Sequence, residues 1–237
     1  MKLTILGNNG PYPAPGGACS GYLLSCASGR THVLLDCGTG VLSNLSRHLP
    51  WEEMSAVILS HLHYDHMSDL LPMLYALQFH PRTAPLPVYA PDAPAQVRDL
   101  LKAPAYALHP MEDCEIGEIH FSFCPVRHPI PSFALRATCD GRSFVYTGDT
   151  NEVQALDSFA QGADLLLADA GLSAADWHME APHLSAERCA RLAERTDCGR
   201  LLLTHLNPRY TAEALECEAR TVRPDAQFVR IGAEYES

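Results

Sequence analysis

The sequence predicts an α/β (α+β) protein built as a four-layer αββα sandwich, two mixed β-sheets face to face with helices outside. Three observations carry that prediction. Short apolar runs of strand length recur along the chain, helical patterns are interleaved with them in both halves, and no linker or low-complexity stretch parts the halves. One domain spanning residues 1–237 is therefore expected. Hydrophobic content of 47% and charged content of 19% fit a well-buried core rather than a disordered chain.

Residues 2–6 read as a first strand. Residues 7–21 are rich in Gly, Pro and Asn, a long surface loop of the kind that often carries function. Strands at 22–26 and 32–36 form a hairpin about Ser28-Gly29-Arg30, and 41–49 is helical. An apolar strand covers 56–60, and an apolar helix covers 68–79 with Pro72 tolerated in its first turn. A short strand at 86–90 is bracketed by prolines, from Pro81 to Pro94, and 95–102 is a helix. Strands follow at 116–126 and 132–138, and Asp140-Gly141 turns the second into a returning strand at 142–147. Residues 165–168 and 200–204 are short, apolar and therefore buried strands. Ser185 caps a helix running to about Arg195, 211–220 is a helix, and 227–231 is the last strand.

The bulk numbers exclude some functions. A net charge of −11 and a pI near 5.5 argue against gripping nucleic acid through a broad basic surface. They leave room for a small anionic substrate, because bound metal ions can dominate a local field. No uninterrupted apolar run approaches the ~20 residues needed to span a bilayer. The opening Met1–Gly7 stretch is too short for a secretory h-region, so a cytoplasmic protein without membrane contact is expected. The nine cysteines are odd in number and form no Cys-x-x-Cys pair, which reads as reduced thiols rather than a disulfide framework. Cys189 and Cys217 sit in helical patterns, where Cys acts as a small apolar residue.

One stretch stands apart, Ser60-His61-Leu62-His63-Tyr64-Asp65-His66. Neutral imidazole and carboxylate are the side chains that hold borderline divalent metals such as zinc. His61 and His63 are two apart and point to one side of an extended segment. Asp65 and His66 come after a turn residue and can approach from another direction, so one segment can serve two neighbouring metals. A polar turn with incidental histidines is the bland alternative, and four ligand-type residues in six argue against it. His128, Asp149 and His205 each end an apolar run, where ligand sites in α/β sheets gather. Taken singly, each is an ordinary turn or buried polar residue, Asp149 included.

Taken in order, His-x-His-x-Asp-His, then a lone His, then Gly148-Asp149-Thr150, then Thr204-His205, the chain resembles the metallo-β-lactamase superfamily. The resemblance spans nearly the whole chain, including Leu35-Asp36-Cys37-Gly38. It implies the metallo-β-lactamase fold and two divalent metal ions at one sheet edge. Zinc leads, with manganese and iron also suited to such nitrogen and oxygen ligands. By position, His61, His63 and His128 would hold the first metal, Asp65, His66 and His205 the second, and Asp149 would bridge them. Asp36 would be an outer carboxylate that orients a ligand.

Ala181-Pro182-His183-Leu184-Ser185-Ala186-Glu187, followed by Leu203-Thr204-His205-Leu206-Asn207-Pro208, is similar to the ribonuclease Z branch and related phosphodiesterases. That resemblance makes His183 the proton donor at the leaving group, with Glu187 or Asp169 as its carboxylate partner, and implies a homodimer. Ribonuclease Z carries a long tRNA-gripping arm between the lone His and Gly-Asp-Thr. Here only 20 residues separate His128 from Asp149, and a hairpin fills them.

The expected function is metal-hydroxide attack on a small phosphodiester such as a cyclic nucleotide, with Asp65 and His183 as catalytic residues. A small-molecule substrate is expected rather than nucleic acid. The alternatives are a ribonuclease Z-like RNA endonuclease without the arm, or a hydrolase of another ester, lactone or thioester. A non-catalytic metal- or ligand-binding protein on the same fold is the alternative from another class. His183 could instead only bond its loop, and Asp36 only close a strand end.

Overall fold

The computed structural model describes residues 1–80 and 82–237. Pro81, the outer bracket of the strand expected at 86–90, lies outside the described residues.

Among the described residues, two seven-stranded sheets pack face to face. The first contains β1 (Lys2–Gly7), β2 (Gly21–Ser25), β3 (His32–Leu35), β4 (Ala56–Ile58), β5 (Leu86–Tyr89) and β6 (Tyr106–His109), side by side in chain order. The second contains β7 (Cys114–Ile116), β8 (Ile119–Val126), β9 (Ser132–Cys139), β10 (Arg142–Tyr146), β11 (Leu165–Asp169), β12 (Arg200–Thr204) and β13 (Gln227–Phe228). The chain then returns to the first sheet as β14 (Glu234–Glu236), antiparallel to β1. Each sheet is mixed. Strands β1 to β3 are antiparallel and β3 to β6 parallel. Strands β7 to β10 form an antiparallel meander and β10 to β13 run parallel.

The apolar runs are explained by burial on both faces. Ile5, Tyr22, Leu35 and Ile58 of one sheet meet Phe121, Phe144, Leu167 and Leu202 of the other in the central core. Their strand neighbours Leu6, Leu34 and Val57 face outward onto the first helical layer. Leu166, Leu201 and Leu203 face outward onto the second. Burying each such Leu-sized side chain contributes about 1.5–3 kcal/mol.

The helices are α1 (Val41–Leu45), α2 (Tyr64–Met67), α3 (Leu70–Phe79), α4 (Ala95–Arg98), α5 (Gln154–Ala160), α6 (Ala186–Arg195) and α7 (Ala212–Arg220). Caps fix two starts: Ser185 Oγ accepts from Arg188 N at 3.3 Å and Thr211 Oγ1 from Ala214 N at 3.2 Å.

Some boundaries differ from expectation. The strand expected at 116–126 is two strands, because Gly117 turns at φ 58° and starts the β7–β8 hairpin. The helix expected over 41–49 ends at Leu45. The turn expected after His63 is the start of a helix, α2. Strands β6 and β14 and helix α5 lie where the sequence carries no strong pattern. The cysteines are all free thiols, and Cys217 is exposed on α7 rather than buried. Among the described residues, no helix is long and apolar enough to cross a membrane.

Candidate metal centre

Both sheets contribute to one edge of the sandwich. The turn after β4 is pinned across the sheets, where Phe133 N donates to Ser60 O at 3.0 Å. His61 follows that turn, His63 sits extended at φ −71°, ψ 150°, and Asp65 and His66 occupy the single turn of α2. The second sheet supplies His128 after β8, Asp149 after β10 and His205 after β12.

Three imidazoles converge first. The Nε2 atoms of His61 and His128 each lie 3.0 Å from Nδ1 of His63. The remaining nitrogens explain why. Pro182 O accepts the Nδ1 proton of His128 at 3.0 Å. Ser60 Oγ donates to Asp36 Oδ2 at 2.8 Å and so accepts from His61 Nδ1 at 3.1 Å. Two Nε2 lone pairs therefore point at one shared centre. Burial pushes the pKa of His61 well below the imidazole norm and lowers those of His63 and His128, keeping the rings neutral. Neutral rings with facing lone pairs fit a cation between them.

A second group adjoins the first. Candidate ligand atoms of Asp65, His66, Asp149 and His205 lie within 4.8 Å of one another, and all four residues are buried. His66 Nε2 is 3.3 Å from Asp149 Oδ2 and 3.5 Å from Asp65 Oδ2. His205 Nδ1 is 3.3 Å from Asp149 Oδ1, and His61 Nε2 is 3.7 Å from Asp149 Oδ2. Asp149 thus reaches both groups. His66 Nε2, Asp149 Oδ1 and His205 Nε2 are buried with no hydrogen-bond partner, an arrangement that native proteins rarely leave without a function. The local field also favours positive charge. Burial opposes charge on His66, yet Asp149, Asp65 and Asp36 hold its pKa well above the norm. Burial likewise opposes charge on Asp149, but His205 and His66 keep its carboxyl well below the usual range. The donor set fits divalent metals in both groups.

Asp36 orients this group. It is fully buried at the end of β3 with φ 55°. It accepts from Ser60 N at 2.7 Å and from Ser60 Oγ, His66 Nδ1 and Tyr146 OH at 2.8 Å each. His66 is thereby fixed with Nε2 turned to Asp65 and Asp149. Gly10 completes the wall, since a Cβ there would lie 1.9 Å from His205 Cε1.

His183 stands at the rim. Its Nδ1 donates to Asp169 Oδ2 at 2.9 Å and lies 3.8 Å from Asp149 Oδ2. Burial lowers its pKa, but Asp169 outweighs burial and pushes the value up to about 9. Glu187 instead pairs with Arg191 at 2.6 Å, so Asp169 is the carboxylate partner. The rings of His183 and His205 stack at 4.8 Å. The cleft over these groups holds about 200 Å³ and is lined by His63, Asp65, His128, Asp149, His183 and His205 with Pro11, Pro129 and Pro182. A larger hollow of about 430 Å³ beside Lys2, Cys26, His32 and Glu234 has no convergent ligand set among the described residues.

Every candidate site residue from the sequence is thus brought to one edge. Sequence reasoning missed the carbonyl of Pro182, the hydroxyls of Ser60 and Tyr146, and Gly10. Only Ser60 carried a signal, its place beside the histidine motif.

Two adjoining histidine and aspartate groups at the edge of a ββ sandwich define a class, the metal-dependent hydrolases of the metallo-β-lactamase fold. The chain belongs to the family described as "Beta-lactamase superfamily domain", which matches residues 31–206. It is 34% identical over 230 residues to "Probable metallo-hydrolase YhfI" of Bacillus subtilis (strain 168), covering 94% of this chain and 93% of that one. The crystal structure of YhfI superposes with a TM-score of 0.92 at 31% identity, covering 100% and 99% of the two chains. Ribonuclease Z of Mycobacterium bovis (strain BCG / Pasteur 1173P2) is 29% identical over 246 residues, covering 88% and 86%. Human tRNase Z, short form, shares the fold, with a TM-score of 0.81 at 21% identity over 100% and 99%.

Proposed function

We propose that the chain is a dinuclear-metal phosphodiesterase acting on a small phosphodiester such as a cyclic nucleotide. One observation carries the reading: the His183–Asp169 pair beside the ligand groups, with Nδ1 at 2.9 Å from Oδ2. When water attacks the phosphorus of a phosphodiester, the P–O bond to the departing alcohol breaks, and the alkoxide so formed would take its proton from the charged imidazole beside the cleft.

His61, His63 and His128 would hold one metal and Asp65, His66 and His205 the other, with Asp149 between the two groups. Zinc suits this set, as do manganese and iron. When bound, such ions supply an activated water near neutral pH and draw charge from phosphate oxygens. The chain's own residues do the rest. Asp36 holds His66 in one tautomer, and the Pro182 carbonyl does the same for His128. Asp65 lines the cleft, where it would orient the incoming water. Asp169 keeps His183 charged and fixed.

A cleft of about 200 Å³ suits a compact substrate. The β9–β10 hairpin fills the interval between His128 and Asp149, and the net charge is −11. Both disfavour tRNA. A second reading, an RNA endonuclease, draws on the likeness to Ribonuclease Z.

Metal analysis with a substrate panel tests both readings. The panel holds bis-nitrophenyl phosphate, cyclic nucleotides, a thioester, a β-lactam and a tRNA precursor. Two metals per chain with turnover of the small phosphodiesters is the expected result. No phosphodiesterase activity with zinc, manganese or iron loaded would sink the proposal.

A further inference from the structure

Asn151 follows Gly148-Asp149-Thr150, and its buried side chain is saturated with hydrogen bonds. Its Nδ2 donates to Ala181 O at 2.6 Å and His178 O at 3.1 Å, with Met179 O at 3.3 Å. Its Oδ1 accepts from Glu152 N at 2.7 Å and from Trp177 Nε1 at 2.9 Å. Its backbone N–H donates to Arg127 O at 2.9 Å. One residue therefore joins three segments: those bearing Asp149 and His128, and the loop between β11 and α6 that bears Pro182 and His183.

Before its tip that loop is tied towards α7, where Ala174 N donates to Glu218 Oε2 at 2.8 Å and Tyr210 OH donates to Asp176, but these bonds stop short of the tip. His178, Met179 and Glu180 are exposed. The Arg127–Glu180 ion pair at 2.9 Å lies in solvent and contributes little. Trp177 is braced instead, because the Arg188 guanidinium lies 3.3 Å over its ring and is itself tied to Glu152 at 2.7 Å. The brace presents the indole N–H to Asn151, which sets the amide so that its donors face the loop carbonyls.

We infer that Asn151 is a positioning residue for the centre: through the Ala181 carbonyl it fixes Pro182 and His183, and through Pro182 it fixes His128. The chain of contacts is short. Asn151 holds Ala181 O, the next residue's carbonyl takes the His128 Nδ1 proton at 3.0 Å, and the residue after that is His183. An outer partner that orients a ligand histidine typically alters metal affinity about 10–100-fold when removed. The inference rests on the metal-centre reading above, and its test separates the two.

The variants are Asn151→Ala, which removes the latch, and the milder Trp177→Phe, which removes only the donor that orients it. Each is compared with the unaltered full chain for zinc affinity by chelator competition, for the visible spectrum of the cobalt-substituted protein, and for its pH–rate profile. Asn151→Ala is expected to bind one of two zinc ions roughly tenfold more weakly. Its cobalt bands should shift and its pH–rate profile should move, with Trp177→Phe changing in the same direction by less. Unchanged zinc affinity and cobalt spectrum in both variants would overturn the inference. If Asn151→Ala does not fold, Trp177→Phe decides alone by the same readouts. An unaltered chain that takes up neither zinc nor cobalt is a different result and overturns the metal-centre reading itself.

Discussion

Asp169 Oδ2 accepts the Nδ1 proton of His183 at 2.9 Å, while the N–H groups of Thr150 and Gly171 each bind the same carboxylate at 3.0 Å. The carboxylate is held on three sides and cannot turn away. It therefore sets both the tautomer and the charge of the imidazole beside the cleft.

The first prediction concerns that charge. His183 is held up to about 9, above its ordinary value of 6.5, because Asp169 outweighs burial. A raised value means that the charged form stabilises the fold fully below the ordinary imidazole value. That contribution fades as pH rises towards about 9. NMR titration of the metal-free protein should find His183 still charged at about pH 8, roughly 1.5 units above an ordinary imidazole. Asp169→Asn should bring the midpoint down. An unmoved midpoint would show that Asp169 does not control the proton.

The second concerns catalysis. His183→Ala should lower turnover by about 10²–10⁴-fold for an alkoxide leaving group, the usual worth of general acid catalysis. The loss should be far smaller for nitrophenolate, which departs without a proton. Equal losses on both substrates would take His183 out of that role.

The third concerns Asp36, which gathers four hydrogen bonds from Ser60, His66 and Tyr146. Asp36→Ala strands buried donors that each cost about 1–3 kcal/mol when unpaired. Urea unfolding of the metal-free protein should therefore show a loss of at least about 3 kcal/mol. Tyr146→Phe removes one donor along with its share of the bonding and should cost about 1 kcal/mol. A silent Asp36→Ala would mean that the carboxylate is solvated rather than bonded.

The fourth uses a glycine. A Cβ on Gly10 would sit 1.9 Å from Cε1 and 2.2 Å from Nε2 of His205. Gly10→Ala should displace that ring and reduce metal content from about two ions per chain to about one, as read by elemental analysis. Retention of both ions would show that His205 is not needed to hold the second.

Much of the centre was legible because residue type and spacing survive without a structure. His61, His63, Asp65 and His66 are consecutive enough to announce themselves, and β12 and α6 matched their expected bounds. His128, Asp149 and His205 were legible only as an order, because sheet packing rather than sequence spacing brings them together. Asp169 and Glu187 could not be told apart by type. The strand end turns Asp169 inward, whereas Glu187 lies one turn from Arg191 on its helix. The Pro182 carbonyl left no trace, since any residue carries a backbone acceptor. Short edge strands such as β14 take their form from the neighbour they pair with, not from their own composition.

Asp36 and Tyr146 stand 110 residues apart in the chain and meet at 2.8 Å between the two sheets. The candidate ligands are divided in the same way, with His61 to His66 on one side and His128, Asp149 and His205 on the other. Neither half holds a complete set. Metal capture should thus act as a timekeeper for assembly, coming after the halves have closed on each other. In a refolding mixture of the Trp51→Phe variant, whose one remaining tryptophan is Trp177, a zinc-sensitive dye should lose its signal no earlier than the tryptophan fluorescence settles. Earlier loss would mean that the histidine motif seizes metal before the second sheet arrives.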